Sequence, residues 1–431
     1  MAVSWSDRRP LRSAIAMLVI EMCGCNYFTD SFVINGFSGD EFPTIVDSSS
    51  GAIIIGVEES DRTTHTAVID LLSPITVIDR GTDAQPQVDT APLALLGARS
   101  RGGPMDLPRG RLIDPQLVSL HPCADATCTV GASSKPRAFD AILGGDAFAG
   151  DALRLRLASD PSASDDQIAL LPDIAGDEFH RSDACDAVFS NPFHGGGTLV
   201  IGGTELGFAN WRIALDVCIG PDPDPSKPQR ERGTDAMFVV STAIGTSLLD
   251  RTAYERYRLV DPTMPAFSDL TDIESVLLPS GSVTGRKATL PKLALVAHSG
   301  SNPRAPCREV YAHHLLLPSD CVAGVDCPCS DGETFCSVPA SIELAPSTGI
   351  AVLIIDDDDP TLQALRIELH PDQPEVDGIL GTDALRLLEL DIDYPNRRIL
   401  GRCTEGPEQC RTRPEIIEAS DRPQISGCID R

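Results

Sequence analysis

The residues best placed to carry chemistry are acidic, and they do not come as a pair. Asp70 follows the run His65-Thr-Ala-Val-Ile and precedes Leu-Leu-Ser-Pro. A similar stretch in the second half, Phe238-Val-Val-Ser-Thr-Ala-Ile-Gly-Thr-Ser, contains no Asp. Two carboxylates that share one proton can divide acid and base roles between them, whereas one carboxylate cannot. The sequence therefore favours a buried or hydrogen-bonded turn carboxylate at Asp70.

Two other groups of residues have the types of metal ligands but not their spacing. His313 and His314 precede a Cys-x5-Cys-x-Cys-x6-Cys pattern, which lacks the paired knuckles of a zinc site. The acidic run at 356–359 lacks the Gly and distal Glu of an EF-hand loop, so a solvated loop is expected, with calcium as the alternative. Neither Gly-x-Ser-x-Gly nor His-Glu-x-x-His occurs, which leaves the α/β-hydrolase and zincin classes without support. We expect no metal and no cofactor.

The cysteines predict disulfides in an oxidising compartment. Of the 14 Cys, Cys23 and Cys25 lie near the N-terminus, and the even number that remains suggests complete pairing. Cys123 and Cys128 could close a small loop, and the eight Cys after residue 300 could pair among themselves. The candidates for disulfides are Cys123, Cys128, Cys185, Cys218, Cys307, Cys321, Cys327, Cys329, Cys336, Cys403, Cys410 and Cys428.

The N-terminal segment has the order of an export signal. Arg8, Arg9 and Arg12 precede a short apolar run that ends near Gly24-Cys25. The junction resembles the processing site of bacterial lipoproteins, which predicts that Cys25 is lipidated; an ordinary cleaved signal is the alternative. Asn26, where Asp would resemble an inner-membrane retention signal, favours the outer membrane. The expected location is the bacterial cell envelope, as an outer-membrane lipoprotein facing the periplasm or the surface, or outside the cell as a secreted protein.

Composition narrows the class of partner. The formal net charge of −28 should repel phosphate backbones, so nucleic acid is an unexpected partner. Short runs that alternate or are rich in β-branched residues, bounded by Gly, Pro, Asp and Asn, predict strands. These runs recur in the two halves as a strand, a strand–turn–strand unit, a long excursion, an apolar–Gly strand and a hairpin. The sequence therefore predicts a duplicated β lobe.

Several segments, in this order, resemble the framework of two-lobed, pepsin-like aspartic proteases. They are Gly51-Ala-Ile-Ile-Ile-Gly56, His65-Thr-Ala-Val-Ile-Asp-Leu-Leu-Ser-Pro74, Phe139-Asp-Ala-Ile-Leu-Gly-Gly145, Gly195-Gly-Gly-Thr-Leu-Val-Ile-Gly-Gly203, Gly245-Thr-Ser-Leu-Leu249 and Val376-Asp-Gly-Ile-Leu-Gly381. The resemblance implies an all-β, duplicated, two-lobed and barrel-like fold with few short helices. It covers most of residues 45–402.

The resemblance makes Asp70 the remnant of the first catalytic Asp. The second Asp position falls on Ala243 or Ser241, depending on the direction of alignment, and neither can share a proton. Leu72 replaces a Gly of the first turn, and the first half offers no Tyr for a flap. A rival position for the first Asp is Asp79, in Asp-Arg-Gly-Thr. These departures predict that peptide hydrolysis is lost, since removing one member of a catalytic unit costs roughly 10⁴-fold or more in rate.

The predicted organisation follows from these segments. It comprises a signal peptide (1–24), a lipid-anchored linker (25–44), an N-terminal β lobe (45–190), a C-terminal β lobe (191–402) with a Cys-rich insert at about 300–345, and a Cys-containing tail (403–431). The cleft between the lobes of a monomer would bind an extended peptide or an envelope component. The alternatives are an active aspartic endopeptidase with a non-standard centre, in which Asp235 or Asp250 lies within hydrogen-bond reach of Asp70, and a purely structural envelope protein.

Overall fold

The computed structural model describes residues 40–43, 45–47, 50–89, 92–100, 109–113, 115, 117–123, 127–157, 167–171, 187–190, 192–209, 211–222, 233–297, 306–310, 314–316, 336–338, 341–369, 376–404 and 409–412. The proposed signal peptide, Cys25 and most of the tail lie outside these residues. Within them, no helix has both the length and the apolar character needed to cross a membrane.

Short strands dominate the first half, as its alternating apolar runs predict. Their bounds are β1 (Asp40–Pro43), β2 (Ile45–Val46), β3 (Ile53–Glu59), β4 (Thr64–Ile69), β5 (Thr76–Ile78), β6 (Gln87–Asp89), β7 (Leu93–Ser100), β8 (Arg109–Ile113), β9 (Leu117–Ser119), β10 (Thr129–Ala132), β11 (Arg137–Ala138), β12 (Ala141–Leu143), β13 (Ala152–Arg156), β14 (Gln167–Leu171) and β15 (Ala187–Ser190). A 3₁₀ turn spans Gly145–Phe148.

The second half continues the pattern. Its strands are β16 (Phe193–His194), β17 (Gly197–Ile201), β18 (Thr204–Phe208), β19 (Arg212–Ile219), β20 (Thr234–Val240), β21 (Ser247–Asp250), β22 (Ile273–Leu278), β23 (Gly281–Leu290), β24 (Leu293–Val296), β25 (His314–Leu316), β26 (Cys336–Val338), β27 (Ser341–Leu344), β28 (Ile350–Ile355), β29 (Gly378–Leu380), β30 (Leu388–Asp393), β31 (Arg398–Cys403) and β32 (Cys410–Thr412). The helical segments are α1 (Arg251–Val260), a 3₁₀ turn (Phe267–Asp269), α2 (Pro306–Glu309), α3 (Pro360–Leu369) and α4 (Thr382–Leu385). The expected all-β class with few short helices is confirmed.

Two large sheets contain most of the strands. One has the order β15-β31-β30-β13-β14-β1-β7-β3-β4-β12-β5-β9-β6, with β2 on β3 and β8 on β7. The other has the order β11-β10-β22-β23-β28-β21-β29-β20-β19-β24-β27-β32, with β16 on β19. Strands of the second half, β30 and β31, enter the first sheet, and β10 and β11 of the first half enter the second. The two halves therefore exchange strands rather than meeting only at a surface.

The same supersecondary unit occurs once in each half. In the first, β3 and β4 form an antiparallel pair, the chain turns at Asp70, and β12 then pairs parallel to β4 and antiparallel to β5. In the second, β19 and β20 pair, the chain turns at Ser241, and β29 pairs parallel to β20 and antiparallel to β21. This equivalence supports a duplicated lobe from the chain's own strand pairing.

The second-half counterpart of β3 is β19, not the Gly-rich segment 195–203 that the sequence suggested. That segment forms an isolated hairpin of β17 and β18, outside both large sheets. Glycines enclose an apolar run both in the segment 51–56, which leads into β3, and in the segment 195–203. The sequence pattern alone therefore does not distinguish a strand of a large sheet from a peripheral hairpin. The hairpin predicted at 388–400 is present as β30 and β31.

Candidate functional site

The site lies where the turns after β4 and β20 meet. The backbone N–H of Asp70 donates to the carbonyl of Leu143 at 3.0 Å, and that of Ser241 donates to the carbonyl of Leu380 at 3.0 Å. Leu143 and Leu380 end the parallel strands β12 and β29. Asp70 and Ser241 thus occupy equivalent positions in the two halves. This geometry selects Ser241, and not Ala243, as the residue that stands opposite Asp70.

Asp70 faces a hydroxyl where a carboxylate pair would need a second acid. Ser241 Oγ donates to Asp70 Oδ1 at 3.0 Å, and the backbone N–H of Leu72 donates to the same oxygen at 3.0 Å. Among the described residues, all hydrogen bonds to this carboxylate go to Oδ1. Asp235 and Asp250 bond elsewhere, to the N–H of Cys307 and of Ala253. Within the described residues, no second carboxylate hydrogen-bonds to Asp70.

Burial sets the protonation of Asp70. The residue is 3% exposed. Desolvation raises its pKa to about 6, against the opposing effects of the Leu72 N–H, the Ser241 hydroxyl and the positive charge of Arg212. The carboxyl group is thus a weak acid that titrates alone, in contrast to a dyad whose two pKa values separate because one proton is shared.

Thr242 joins the two turns asymmetrically. Its Oγ1 accepts from the N–H of Leu71 at 3.2 Å and donates to the carbonyl of Ile69 at 2.7 Å. The equivalent residue of the first turn is Leu71, which has no hydroxyl to return these bonds. Its side chain is fully buried in the largest apolar cluster instead. The second turn therefore contributes a hydrogen-bonding hydroxyl to this contact, whereas the first turn contributes apolar packing.

Leu72 and Ala243 also occupy equivalent positions, and each packs into the other half. Leu72 belongs to a cluster made of second-half residues such as Val239 and Ile379. Ala243 belongs to a cluster dominated by first-half residues. Although the resemblance implies a Gly at position 72, the φ of Leu72 is not positive: Arg62 and Arg397 are the only non-Gly residues with positive φ in the described part of the chain. The turn accepts Leu because ordinary backbone geometry suffices.

Glycine is required at one close approach between the two halves. Gly51 has φ +72°, and a Cβ at this position would lie 2.2 Å from Gly245 Cα. The N–H of Gly245 donates to the carbonyl of Ser50 at 2.9 Å. A side chain on Gly51 would push these backbones apart. The segments that begin at Gly51 and at Gly245 therefore allow the two halves to approach closely.

A cavity of about 300 Å³ opens beside Asp70. Both halves contribute to its walls, and α3 of the second half closes one side. Its lining is largely apolar, and its charged groups are Asp70, Arg212 and Glu368. The lining residues are Asp70, Leu72, Ser73, Pro74, Ile75, Val77, Pro122, Ile142, Arg212, Pro279, Ser280, Thr361, Ala364, Leu365 and Glu368. A largely apolar pocket with a few convergent polar groups has the character of a ligand site.

Arg212 is the functional candidate that sequence reasoning missed. It begins β19, is 7% exposed, and donates from Nε to the carbonyl of Leu72 at 2.8 Å. Its Nη1 forms an ion pair with Glu368 on α3. It thereby links the first turn, the second sheet and the helix that walls the cavity. No local motif marks this role, because its partners are 140 and 156 residues away along the chain.

The other predicted site residues have structural partners. Asp79, the rival first position, accepts from the N–H of Gly81 at 2.7 Å and contacts His121 Nδ1 at 2.9 Å, away from the paired turns. In the acidic run, Asp357 accepts from Thr252 and Asp359 caps α3 through the N–H of Thr361. His313 lies outside the described residues.

The disulfides join Cys123 to Cys128, Cys218 to Cys307, and Cys403 to Cys410. The grouping of the eight Cys beyond residue 300 is wrong for Cys307, since β19 and α2 bring it to Cys218. Five further candidates lie outside the described residues: Cys185, Cys321, Cys327, Cys329 and Cys428. Cys336 lies on β26, but its side chain is outside the described part of the structure. Disulfides of this kind are typical of secreted or extracellular proteins.

Comparisons with known proteins found similar solved structures but no matching sequence family. No protein-family profile matches the chain. No curated protein sequence matches it either. Among solved structures, it is similar to the aspartic proteinase from Irpex lacteus, at 11% identity and a TM-score of 0.37, covering 85% of this chain and 98% of the proteinase. It is also similar to basic 7S globulin from soybean, at 11% identity and a TM-score of 0.40, covering 87% of this chain and 98% of the globulin.

Structural similarity to pepsin-like aspartic proteases, expected from the sequence motifs, is thus present at low sequence identity. Neither comparison bears on the chemistry of Asp70.

Proposed function

We propose that this protein binds an extended peptide, or a strand-like segment of an envelope component, in the cleft beside Asp70 and does not cleave it. The observation that carries the proposal is the pair formed by Asp70 and Ser241. A hydroxyl that donates to Oδ1 holds the carboxyl in place but cannot share its proton as a second acid would. The cavity supplies apolar surface next to this pair, and extended segments bind such clefts by strand-like pairing.

The cavity also favours binding over a purely structural role. Side chains of the described residues leave a space of about 300 Å³ between the two halves. It contains an ion pair and a buried carboxyl group, which could orient the polar backbone of a bound segment. A structural protein with a closed cleft would place packed side chains there.

The decisive experiment separates binding from cleavage. The soluble mature domain is incubated with a peptide library from pH 3 to pH 8, and both retained and cleaved peptides are identified by mass spectrometry. We expect retention of peptides with apolar side chains and no cleavage sensitive to a transition-state-mimicking aspartic-protease inhibitor. Inhibitor-sensitive cleavage that Asp70→Asn abolishes would instead establish an active endopeptidase with a non-standard centre.

We further propose that the protein acts outside the cytoplasm, attached to the outer membrane through a lipid on Cys25. The basic–apolar–Gly–Cys order supports this proposal, and the disulfides agree with an oxidising compartment. In the producing cell, Cys25→Ser should leave the precursor unprocessed or release the protein from the membrane fraction. Unchanged mature mass and fractionation in this variant would contradict the anchor and favour secretion.

A further inference from the structure

A second cluster of reactive side chains lies in the first half, next in sequence to a residue that lines the cavity. Asp79, at the end of β5, contacts His121 Nδ1 through Oδ1 at 2.9 Å. The ligand atoms of Asp79, His121 and Cys128 all lie within 4.8 Å of one another. Cys128 is bonded to Cys123, which adds a second sulfur to the same place. Pro122, between His121 and Cys123, lines the cavity.

These residues have the composition and spacing of a zinc site. Zn²⁺ is bound tetrahedrally by Cys, His and carboxylate ligands, and Cys-x₄-Cys is among the usual spacings. Cys123 and Cys128 show this spacing, which the cysteines between 307 and 336 do not. The side chains of His121 and Asp79 are 11% and 13% exposed, whereas Cys128 is 1% exposed, so an ion from solvent would approach from the side of His121 and Asp79.

We propose that Cys123, Cys128, His121 and Asp79 form a Zn²⁺ site when the Cys123–Cys128 disulfide is reduced. Zinc and the disulfide are mutually exclusive, because the metal binds thiolates and the disulfide has lost those electrons. A dithiol reductant supplies two electrons and two protons to break the S–S bond and leaves as its own disulfide. Zn²⁺ then replaces both thiol protons, which are released to solvent, while neutral His121 and ionised Asp79 complete the set.

The site does not depend on whether the cleft binds or cleaves peptides. It uses residues outside the pair of turns, and zinc affinity can be measured without any peptide. Before disulfide formation is complete, the newly exported chain presents these thiols. Zinc would then delay oxidation at this position.

The test measures zinc binding in the oxidised and the reduced full chain. The protein is reduced with a dithiol, the reagent is removed without air, and Zn²⁺ is titrated against a competing chromophoric chelator. We expect reduced wild type to bind about one equivalent more zinc than the reduced Cys123→Ser/Cys128→Ser variant. His121→Ala should lose this equivalent, and Asp79→Asn, which removes a charged ligand oxygen, should weaken zinc binding.

A matched control removes another short-loop disulfide, which belongs to no group of potential metal ligands among the described residues. The Cys403→Ser/Cys410→Ser variant should keep the additional equivalent. Co²⁺ in place of zinc should give a thiolate charge-transfer band in reduced wild type that is absent from the Cys123→Ser/Cys128→Ser variant. Circular dichroism on each sample checks that the fold persists after reduction. Equal zinc stoichiometry in reduced wild type, His121→Ala and Cys123→Ser/Cys128→Ser, with the fold intact, would overturn the proposal.

Discussion

At the scale of single residues, the centre of this molecule is an acid held by a hydroxyl. Ser241 Oγ donates to Asp70 Oδ1 at 3.0 Å, and the two residues occupy equivalent turns of the two halves. The pKa of Asp70 is raised from the ordinary 3.8 to about 6 because the carboxyl is buried. The folded protein therefore binds a proton between these pH values that the unfolded chain does not. The contribution of Asp70 to the free energy of unfolding is therefore greatest below pH 4 and is lost as pH rises through 6.

Asp70→Asn should remove this pH dependence. The amide oxygen can still accept from Ser241 and the Leu72 N–H, but it carries no charge to desolvate. We expect the variant to match wild type at pH 4 and to exceed it at pH 8 by up to about 3 kcal/mol. Urea unfolding at both pH values measures the difference. A wild-type-minus-variant difference that is the same at pH 4 and pH 8 would show that Asp70 does not titrate as described.

Ser241→Asp should create the missing pair. Two carboxylates at this separation cannot both ionise, so one proton stays bound near neutral pH. We expect the free energy of unfolding of this variant to increase more steeply than that of wild type as pH falls from 8 to 5. Ser241→Asn, of the same size but uncharged, is the control and should follow wild type.

Ala243→Asp tests the alternative alignment. Ala243 is fully buried in an apolar cluster, so a carboxylate there should destabilise the fold by several kcal/mol (about 2–7). A stable Ala243→Asp protein that titrates as a pair with Asp70 would mean that the alignment through Ser241 is incorrect.

At the scale of elements, α3 connects the acidic run to the cavity. Asp359 Oδ1 accepts from the N–H of Thr361 at 2.9 Å and so caps the helix that supplies Thr361, Leu365 and Glu368 to the cavity wall. Arg366 of the same helix pairs with buried Asp250. The acidic run therefore has a structural role that its composition does not reveal.

Asp359→Ala should loosen α3 and weaken cleft binding. Loss of an N-cap costs about 1 kcal/mol. Hydrogen exchange of α3 amides should accelerate, and peptide retention should fall by several-fold. Asp358→Ala is the matched control, because Asp358 is exposed and its substitution removes the same charge. Equal exchange rates in the two variants would argue against the cap.

At the scale of the whole molecule, the halves are joined by shared sheets and by buried charges. Arg154 on β13 makes a bidentate contact with Asp391 on β30, at 2.7 and 3.1 Å. β13 belongs to the first half and β30 to the second, and they pair along their length. Separation of the halves would expose both the strands and these charges, so we expect one cooperative unfolding transition.

Arg154→Met should destabilise the whole molecule. Asp391 is 2% exposed and would lose its bidentate partner, which costs about 3–5 kcal/mol for a buried pair. Arg156→Met is the control: Arg156 lies on the same strand, but its side chain is 56% exposed and Nε is 3.8 Å from Glu389. We expect it to change stability by less than about 1 kcal/mol. Thermal unfolding measures both, and similar losses in the two variants would contradict this account.

The sequence by itself determined the strands, the repeat and the absence of a matched second Asp. Apolar runs bounded by Gly, Pro and Asp encode local extended structure, and the Ile-Leu-Gly segments mark the two parallel strands, β12 and β29. That Asp70 has no matching Asp is evident from the sequence, because the stretch 238–247 contains no Asp.

Only the tertiary structure decided which residues meet. Ser241 rather than Ala243 faces Asp70 because the pairing of β20 with β29 sets which residue begins the second turn. The sequence pattern is compatible with either residue, since the two alignments differ by only two positions. Arg212, the Cys218–Cys307 bond and the exchange of β10 and β30 between sheets join residues distant along the chain. Such contacts depend on how the elements pack in space, and no local periodicity records that packing.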